Sequence, residues 1–495
     1  MPQQLTRRAL LARAAAAGVA VALAPVIAPH RAFAARDSFW RMDATTQAEL
    51  VRRGEVSPLE LVEAAIARIE RLDPALNAVV APLFDRARDM ARGPLPDGPF
   101  RGVPYLIKDL NDLAGAPTSN GSRLFAEYVA AQSEPYVART LAAGVIPVGK
   151  SNTPEFGLIA TTESLQLGPC RNPWNTEFTP GGSSGGAAAA VAAGLVPFAH
   201  ATDGGGSIRI PASCCGLFGL KPSRGRLGPG EVGGGDISVQ HCVSRSVRDS
   251  ATLFAAAEYR GSDAVLPPLG LVTGPAKQRL RIAFSTRSYT GGAPHPDVEA
   301  AAQRAARLCA DLGHEVVEAA PAIDGGQYID AFMTVWSSFA AGVRKIAEQR
   351  GLDPAAVLEP WTLGLAALYN RKPAGAMEAA IAHFARVQHA YDAFFERYDV
   401  LLTPTLAAPP VRVGEQAPTI EYASLYERVL DWVDYTPVHN GAGNAAMSVP
   451  LGTSSMGLPI GVQFAAPQGG ERRLFELAYE LEAAAPWGGR WPGTV

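Results

Sequence analysis

Short apolar runs bounded by glycine and proline alternate with helical patterns along this chain, and that alternation limits the architectures open to it. Val103–Leu110, Val145–Val148, Leu280–Phe284, Val400–Leu402 and Ile460–Phe464 read as buried strands. Val137–Ala143, Ala187–Ala193 and Val298–Leu312 carry helical spacing. So do Leu50, Val51, Leu59, Leu61, Val62, Ala65, Ile66 and Ile69, with Ser57-Pro58 as a helix start. Strands alternating with helices over the whole length predict an α/β protein with a large central mixed β-sheet covered by helices on both faces. No fixed-period repeat and no long linker interrupts it, so one domain is expected from residue 35 to 495. Within it, residues 320–440 form a variable helical region carrying Trp336, Trp361, Tyr369, His389, Tyr391, Phe394 and Phe395. Most of these side chains are expected in the core and a minority along a substrate cleft.

Residues 1–34 read as a removable segment. Thr6-Arg7-Arg8 precede an apolar stretch, Ala14–Pro29, and a small-residue site, Ala32-Phe33-Ala34, in the order of a twin-arginine export signal. The stretch is short for a bilayer span and is broken by Gly18 and Pro25, so no stable membrane insertion is expected. The reading implies an exported protein, periplasmic or secreted. Removing four arginines and no acid takes the formal charge from -3 to -7. With no basic stripe to follow a phosphate backbone, nucleic acid is not an expected partner. Cys170, Cys214, Cys215, Cys242 and Cys309 show neither a disulfide framework nor zinc-ligand spacing. Most are expected to be buried apolar residues, with one disulfide left open.

Two stretches set serine against glycine: Gly181-Gly182-Ser183-Ser184-Gly185-Gly186 and Asp203-Gly204-Gly205-Gly206-Ser207-Ile208-Arg209. Glycine lets the backbone bend sharply and approach a ligand, and successive N–H groups in such a turn converge on an anion. Ser207, reached through three glycines, suits a nucleophile beside its own oxyanion hole. A flexible surface turn competes with this reading. A phosphate loop lacks its Gly-Lys-Ser/Thr ending. An α/β-hydrolase elbow is formally matched at Gly181–Gly185, yet Asn172–Pro180 is not an apolar strand and His439 is a weak triad histidine. A serine nucleophile needs a base, and His200 sits in no informative setting. Lys108 ends the apolar run Val103–Ile107, where burial would lower its pKa and free it as a neutral base. An ion pair with Asp109 is the competing role.

Taken together, Gly102-Val103-Pro104, Lys108-Asp109, Gly149-Lys150 with Asn152, Pro154 and Glu155, the two serine stretches and Gly219-Leu220-Lys221-Pro222 resemble the amidase-signature enzymes. The resemblance continues through Arg245–Asp249, Tyr398–Pro404 and Gly457–Gln463. It implies hydrolysis of a small amide, with Lys108 as base, Ser183 on a cis peptide as relay and Ser207 as the acylated nucleophile. The N–H groups of Gly204, Gly205, Gly206 and Ser207 would stabilise the oxyanion. Asp203 and Arg209 would brace the loop and Ser184 would support the relay. Neither a metal nor an organic cofactor is implied, and a homodimer is left open. Thr202–Gly206 and Asn444-Ala445-Ala446 depart from the family pattern, which bears on pocket shape alone.

Within the family, Phe39-Trp40, Ala44–Val51, Asn77–Ala87 and Arg171–Asn175 look most like 6-aminohexanoate-cyclic-dimer hydrolases. Linear amides, aryl acylamides and carbamates are the alternative substrates. A partner-dependent subunit acting on misacylated transfer RNA, or an exported binding protein without catalysis, are the alternatives of other classes.

Overall fold

Two capped helices stand near the start of the described residues. Asp43 accepts from Thr46 N at 3.0 Å at the start of the helix Ala44–Arg52. Ser57 Oγ accepts from Glu60 N at 3.2 Å while the Glu60 carboxylate accepts from Ser57 N at 3.0 Å, a reciprocal cap on the helix Pro58–Leu72. The structure, a computed structural model, describes residues 39–228 and 236–493. The expected export signal, residues 1–34, lies outside the described residues. The described residues from Trp40 onward pack as one unit.

The strands are β1 (Val79–Pro82), β2 (Pro104–Lys108), β3 (Ile146–Ser151), β4 (Glu163–Ser164), β5 (Gly168–Pro169), β6 (Phe198–Asp203), β7 (Phe218–Lys221), β8 (Val239–Ser244), β9 (Arg281–Phe284), β10 (Glu315–Glu318), β11 (Val400–Pro404), β12 (Ala445–Thr453) and β13 (Pro459–Ala466). Eight of them form a mixed sheet in the order β10-β9-β11-β13-β12-β7-β8-β6, parallel at β10-β9-β11 and antiparallel beyond. Burial on both faces shows in adjacent residues. Ile282, Leu402, Met447 and Phe464 pack against the helices Val247–Ala257, Pro296–Asp311 and Glu471–Ala484. Their neighbours Ala283, Leu401, Ala446 and Ala465 face the helices Gly325–Gln349 and Ala376–Phe395. The period of two along each strand thus divides one sheet between two cores.

Two of the expected buried strands lie elsewhere. β2 and β3 pair in parallel and, with β1, form a separate three-stranded sheet. Lys108 N meets His200 Nδ1 of β6 at 3.4 Å, a polar tie across the seam between the two sheets. All five cysteines are buried and free, so the disulfide left open above does not form. In residues 320–440, Tyr391 packs in the core as expected and Phe394 and Phe395 lie half-buried against it, whereas His389 is exposed. It sits on the outer face of the helix Ala376–Phe395, whose inward positions are taken by Phe384, Val387 and Tyr391.

Candidate active site

Lys108 ends β2 with no exposed surface, and three hydroxyls surround its amine. Nζ lies 2.7 Å from Ser183 Oγ, 2.9 Å from Ser184 Oγ and 2.8 Å from Thr202 Oγ1. Burial pushes its pKa well below that of an ordinary lysine, and attraction to Asp203 opposes that shift without cancelling it. The competing ion pair with Asp109 does not form. Asp109 instead meets Lys150 Nζ at 3.4 Å, both side chains being buried.

The serine stretch that meets Lys108 is not a surface turn. Residues 181–186 are all buried, with the Gly182–Ser183 peptide cis, and the helix Gly185–Ala192 follows at once. A Cβ at Gly186 would fall 2.3 Å from Asn152 N, so only glycine admits this approach to the β3 end. Ser184 Oγ lies 3.3 Å from Thr202 O, to which it donates, and accepts from Thr202 N at 3.2 Å. This clips the first serine stretch to β6.

β6 delivers the second stretch. Its last residue, Asp203, turns back on the loop: Oδ1 accepts from Gly206 N at 2.8 Å and Oδ2 from Ile208 N at 3.2 Å. Arg209 grips the same carboxylate through Nη2 at 2.8 Å and Nε at 2.9 Å. Its remaining donors go to Thr436 O, Gln463 Oε1 and Asn440 Oδ1, so all five guanidinium N–H groups are engaged in a fully buried setting. Burial would raise the Asp203 carboxyl, but Arg209 outweighs it and holds the acid well below the usual carboxylate range. Arg209→Met would leave Asp203 as an uncompensated buried charge. It should lower unfolding free energy by about 3–5 kcal/mol in a denaturant titration, and an unchanged midpoint would exclude this bracing role.

Gly206 has φ +132, and a Cβ there would lie 2.3 Å from Thr436 Oγ1. Its N–H is already committed to Asp203, unlike those of Gly204, Gly205 and Ser207, which hold no hydrogen bond among the described residues. Ser207 is 6% exposed and opens onto a cavity of about 610 Å³, its mouth included. Trp336, Phe332, Met333, Trp361, Leu430 and Leu158 make much of its apolar wall. Phe332 and Trp336 stack at 5.4 Å, and Cβ atoms at Gly205 and Gly204 would each come within 3.0 Å of these rings. The aromatics therefore rest directly on the glycine loop.

His200 is buried inside β6 and stays neutral, with burial pushing its pKa down to about 3. His439, the weak triad candidate, is buried and also shifted down, with no hydrogen bond to either ring nitrogen among the described residues. Thr202, which the sequence reading placed in a departure bearing on pocket shape alone, instead touches the buried amine, its Oγ1 lying 2.8 Å from Lys108 Nζ just before the second stretch begins. Asn440 and Thr436 were not legible either, being more than 220 residues away from the loop they hold. Among the described residues, no group of His, Cys, Asp and Glu could hold a metal ion, and no helix is long and apolar enough to cross a membrane.

Residues 60–475 match the model of the family described as Amidase. A candidate amidase, AmiC, of Mycobacterium tuberculosis (strain ATCC 25618 / H37Rv) is 43% identical over 464 residues, covering 91% of this chain and 96% of that one. A solved structure of 6-aminohexanoate cyclic dimer hydrolase complexed with substrate superposes with a TM-score of 0.84 at 34% identity, over 92% of this chain and 99% of that one. A bacterial aryl acylamidase of the amidase-signature family superposes with a TM-score of 0.80 at 28% identity, over 91% and 99%.

Proposed function

The chain belongs to the Amidase family and is an amide-hydrolysing enzyme, and from that premise we propose that Ser207 is its nucleophile, Ser183 its relay and Lys108 its base. The observation that carries this reading is the buried Lys108 amine 2.7 Å from Ser183 Oγ, in a site whose cavity wall includes Ser207. A neutral amine has two N–H bonds and one lone pair, and three hydroxyls surround this one. Ser184 spends its proton on Thr202 O, so Ser183 is suited to donate into the lone pair.

In this mechanism Lys108 takes the Ser183 proton, Ser183 takes that of Ser207, and Ser207 Oγ attacks the amide carbonyl carbon. The N–H groups of Gly204, Gly205 and Ser207 receive the oxyanion, while Gly206 shares its donor with Asp203. The relay returns the proton to the leaving nitrogen as the C–N bond breaks. Water, deprotonated by the same relay, then cleaves the acyl ester and restores Ser207. Incubation with a fluorophosphonate probe should leave one adduct, on the peptide carrying Ser207, readable by mass spectrometry. An adduct elsewhere, or none, would overturn the assignment.

For the substrate we propose a small cyclic or linear amide of the 6-aminohexanoate type. Likeness to the cyclic dimer hydrolase over nearly the whole chain and an apolar cavity support it. An aryl acylamide is the second reading, favoured by the stacked Phe332–Trp336 wall. The purified protein should release amine from the cyclic dimer, a linear oligomer or an anilide, and inactivity on all three would defeat both. We further propose export through the N-terminal segment, which cell fractionation tests. Recovery in the cytoplasm alone would refute it.

A further inference from the structure

Two indoles of the cavity wall hang on one backbone oxygen. Leu158 O accepts from Trp336 Nε1 at 3.2 Å and from Trp361 Nε1 at 2.9 Å, and all three residues line the cavity beside Ser207. A carbonyl oxygen has two lone pairs, so both are spent on the indoles. The turn that ends at Leu158 begins at Glu155, whose carbonyl accepts from Leu158 N at 3.1 Å. Gly157, inside this turn, has φ +68, and a Cβ there would lie 3.0 Å from Ser183 Oγ. The turn is therefore seated against Ser183 on one side and carries the indoles on the other.

Glu155 ties the same turn to the helix that bears Trp361, Pro360–Asn370. Glu155 is 2% exposed, and three donors meet its carboxylate: Ser122 Oγ at 2.7 Å on Oε1, and Glu359 N at 2.8 Å and Thr362 Oγ1 at 2.5 Å on Oε2. The last two stand on either side of Trp361 in the chain. A helix start can take its cap from its own flanking residue, as Asp43 and Ser57 show. Here the Glu359 side chain makes no cap bond and instead accepts from Leu165 N at 2.6 Å, so the helix start is held by an acid 204 positions away. Helix stability alone does not call for so remote a partner. What the remote partner adds is a fixed register between Trp361 and the turn seated on Ser183.

We infer that Glu155 is a positioning residue for substrate binding. It sets Trp361, and with it the indole pair on Leu158 O, against the cavity so that a flat apolar group is held beside Ser207. The inference rests on the reading of Ser207 as nucleophile and gives a role to an acid outside the relay.

The test is protection of Ser207 from diisopropyl fluorophosphate by 2-phenylethanol, with the adduct read by mass spectrometry. The wild type should be protected. Glu155→Leu leaves Glu359 N and Thr362 Oγ1 without their acceptor and frees Trp361 to shift. Its protection constant should weaken about tenfold, the upper range of an aromatic contact, while labelling without the alcohol slows less than about threefold, because the turn keeps its seat on Ser183. Glu155→Gln retains an oxygen for both donors and should stay within about threefold of the wild type in protection. Combined with Trp361→Leu, Glu155→Leu should cost almost no further protection, since the ring it holds is gone. Labelling slowed as much as protection is lost, a Glu155→Leu effect that adds in full to that of Trp361→Leu, or a wild type that the alcohol does not protect overturns the inference and leaves the nucleophile assignment standing. Should Glu155→Leu fail to fold by circular dichroism, Thr362→Val removes one of the two donors at constant shape. It should weaken protection about threefold, again only while Trp361 is present, and full additivity there overturns the inference equally. A wild-type protein that takes no label at Ser207 fails at the earlier reading, and the inference falls with it.

Discussion

Ser207→Ala is expected to lower kcat on any accepted amide by at least about 10⁴-fold, leaving the fold intact. The hydroxyl makes no hydrogen bond within the described residues, so removing it leaves no buried partner unsatisfied. What disappears is the covalent step, and with it the division of one high barrier into two lower ones. Intact mass measured during turnover of a slow ester should show an acyl adduct on the wild type and none on the variant. A variant that retains a tenth of the activity would place the nucleophile elsewhere.

Lys108→Met is expected to cost about 10³-fold or more in kcat/KM, toward the upper end of what a positioned base supplies. The methionine keeps the buried volume and loses the lone pair that starts the relay. On its proposed role, the same lysine is expected to set the acid side of the pH profile. Its folded pKa lies well below the ordinary lysine value because burial disfavours the charged amine. Below that folded pKa the amine is protonated and cannot accept from Ser183, so kcat/KM falls as pH drops through it. Above it the relay is intact, and the plateau is reached far short of the pH at which a solvated lysine would deprotonate. His200 cannot produce this limb, being neutral down to about pH 3. Lys221, shifted by burial to about 7, also titrates in the accessible range, but among the described residues its amine donates to Pro222 O alone. Lys221→Met should preserve the limb, and its disappearance in that variant would transfer the role from Lys108.

Residues that touch across a short loop, or that end an apolar run, could be read before the fold was in hand. Ser183, Ser184 and Ser207 stand out because glycine surrounds them, and Lys108 because a charge closes a buried strand. Asp203 and Arg209 are six apart and meet within one turn. The pairing that fails to appear between Lys108 and Asp109 has a simple cause. Asp109 stands in the turn just past the end of β2, where its N–H donates to Ser151 O and its carboxylate meets Lys150, while Lys108 faces the serines. Sequence proximity was misleading there. Asn440, Thr436 and Gln463 reach the nucleophile loop only because the sheet order sets β13 and the segment before β12 under it, a result of topology that no local pattern carries.

The division of the strands into two sheets has a consequence for how this chain comes to possess its chemistry. Lys108 belongs to the three-stranded sheet and Ser207 follows the edge strand of the eight-stranded one, with the Ser183 loop clipped between them. On the roles proposed for Lys108, Ser183 and Ser207, neither sheet alone carries the machinery, so activity is expected only once the two sheets have docked, and a partly folded chain is expected to leave amide bonds uncleaved.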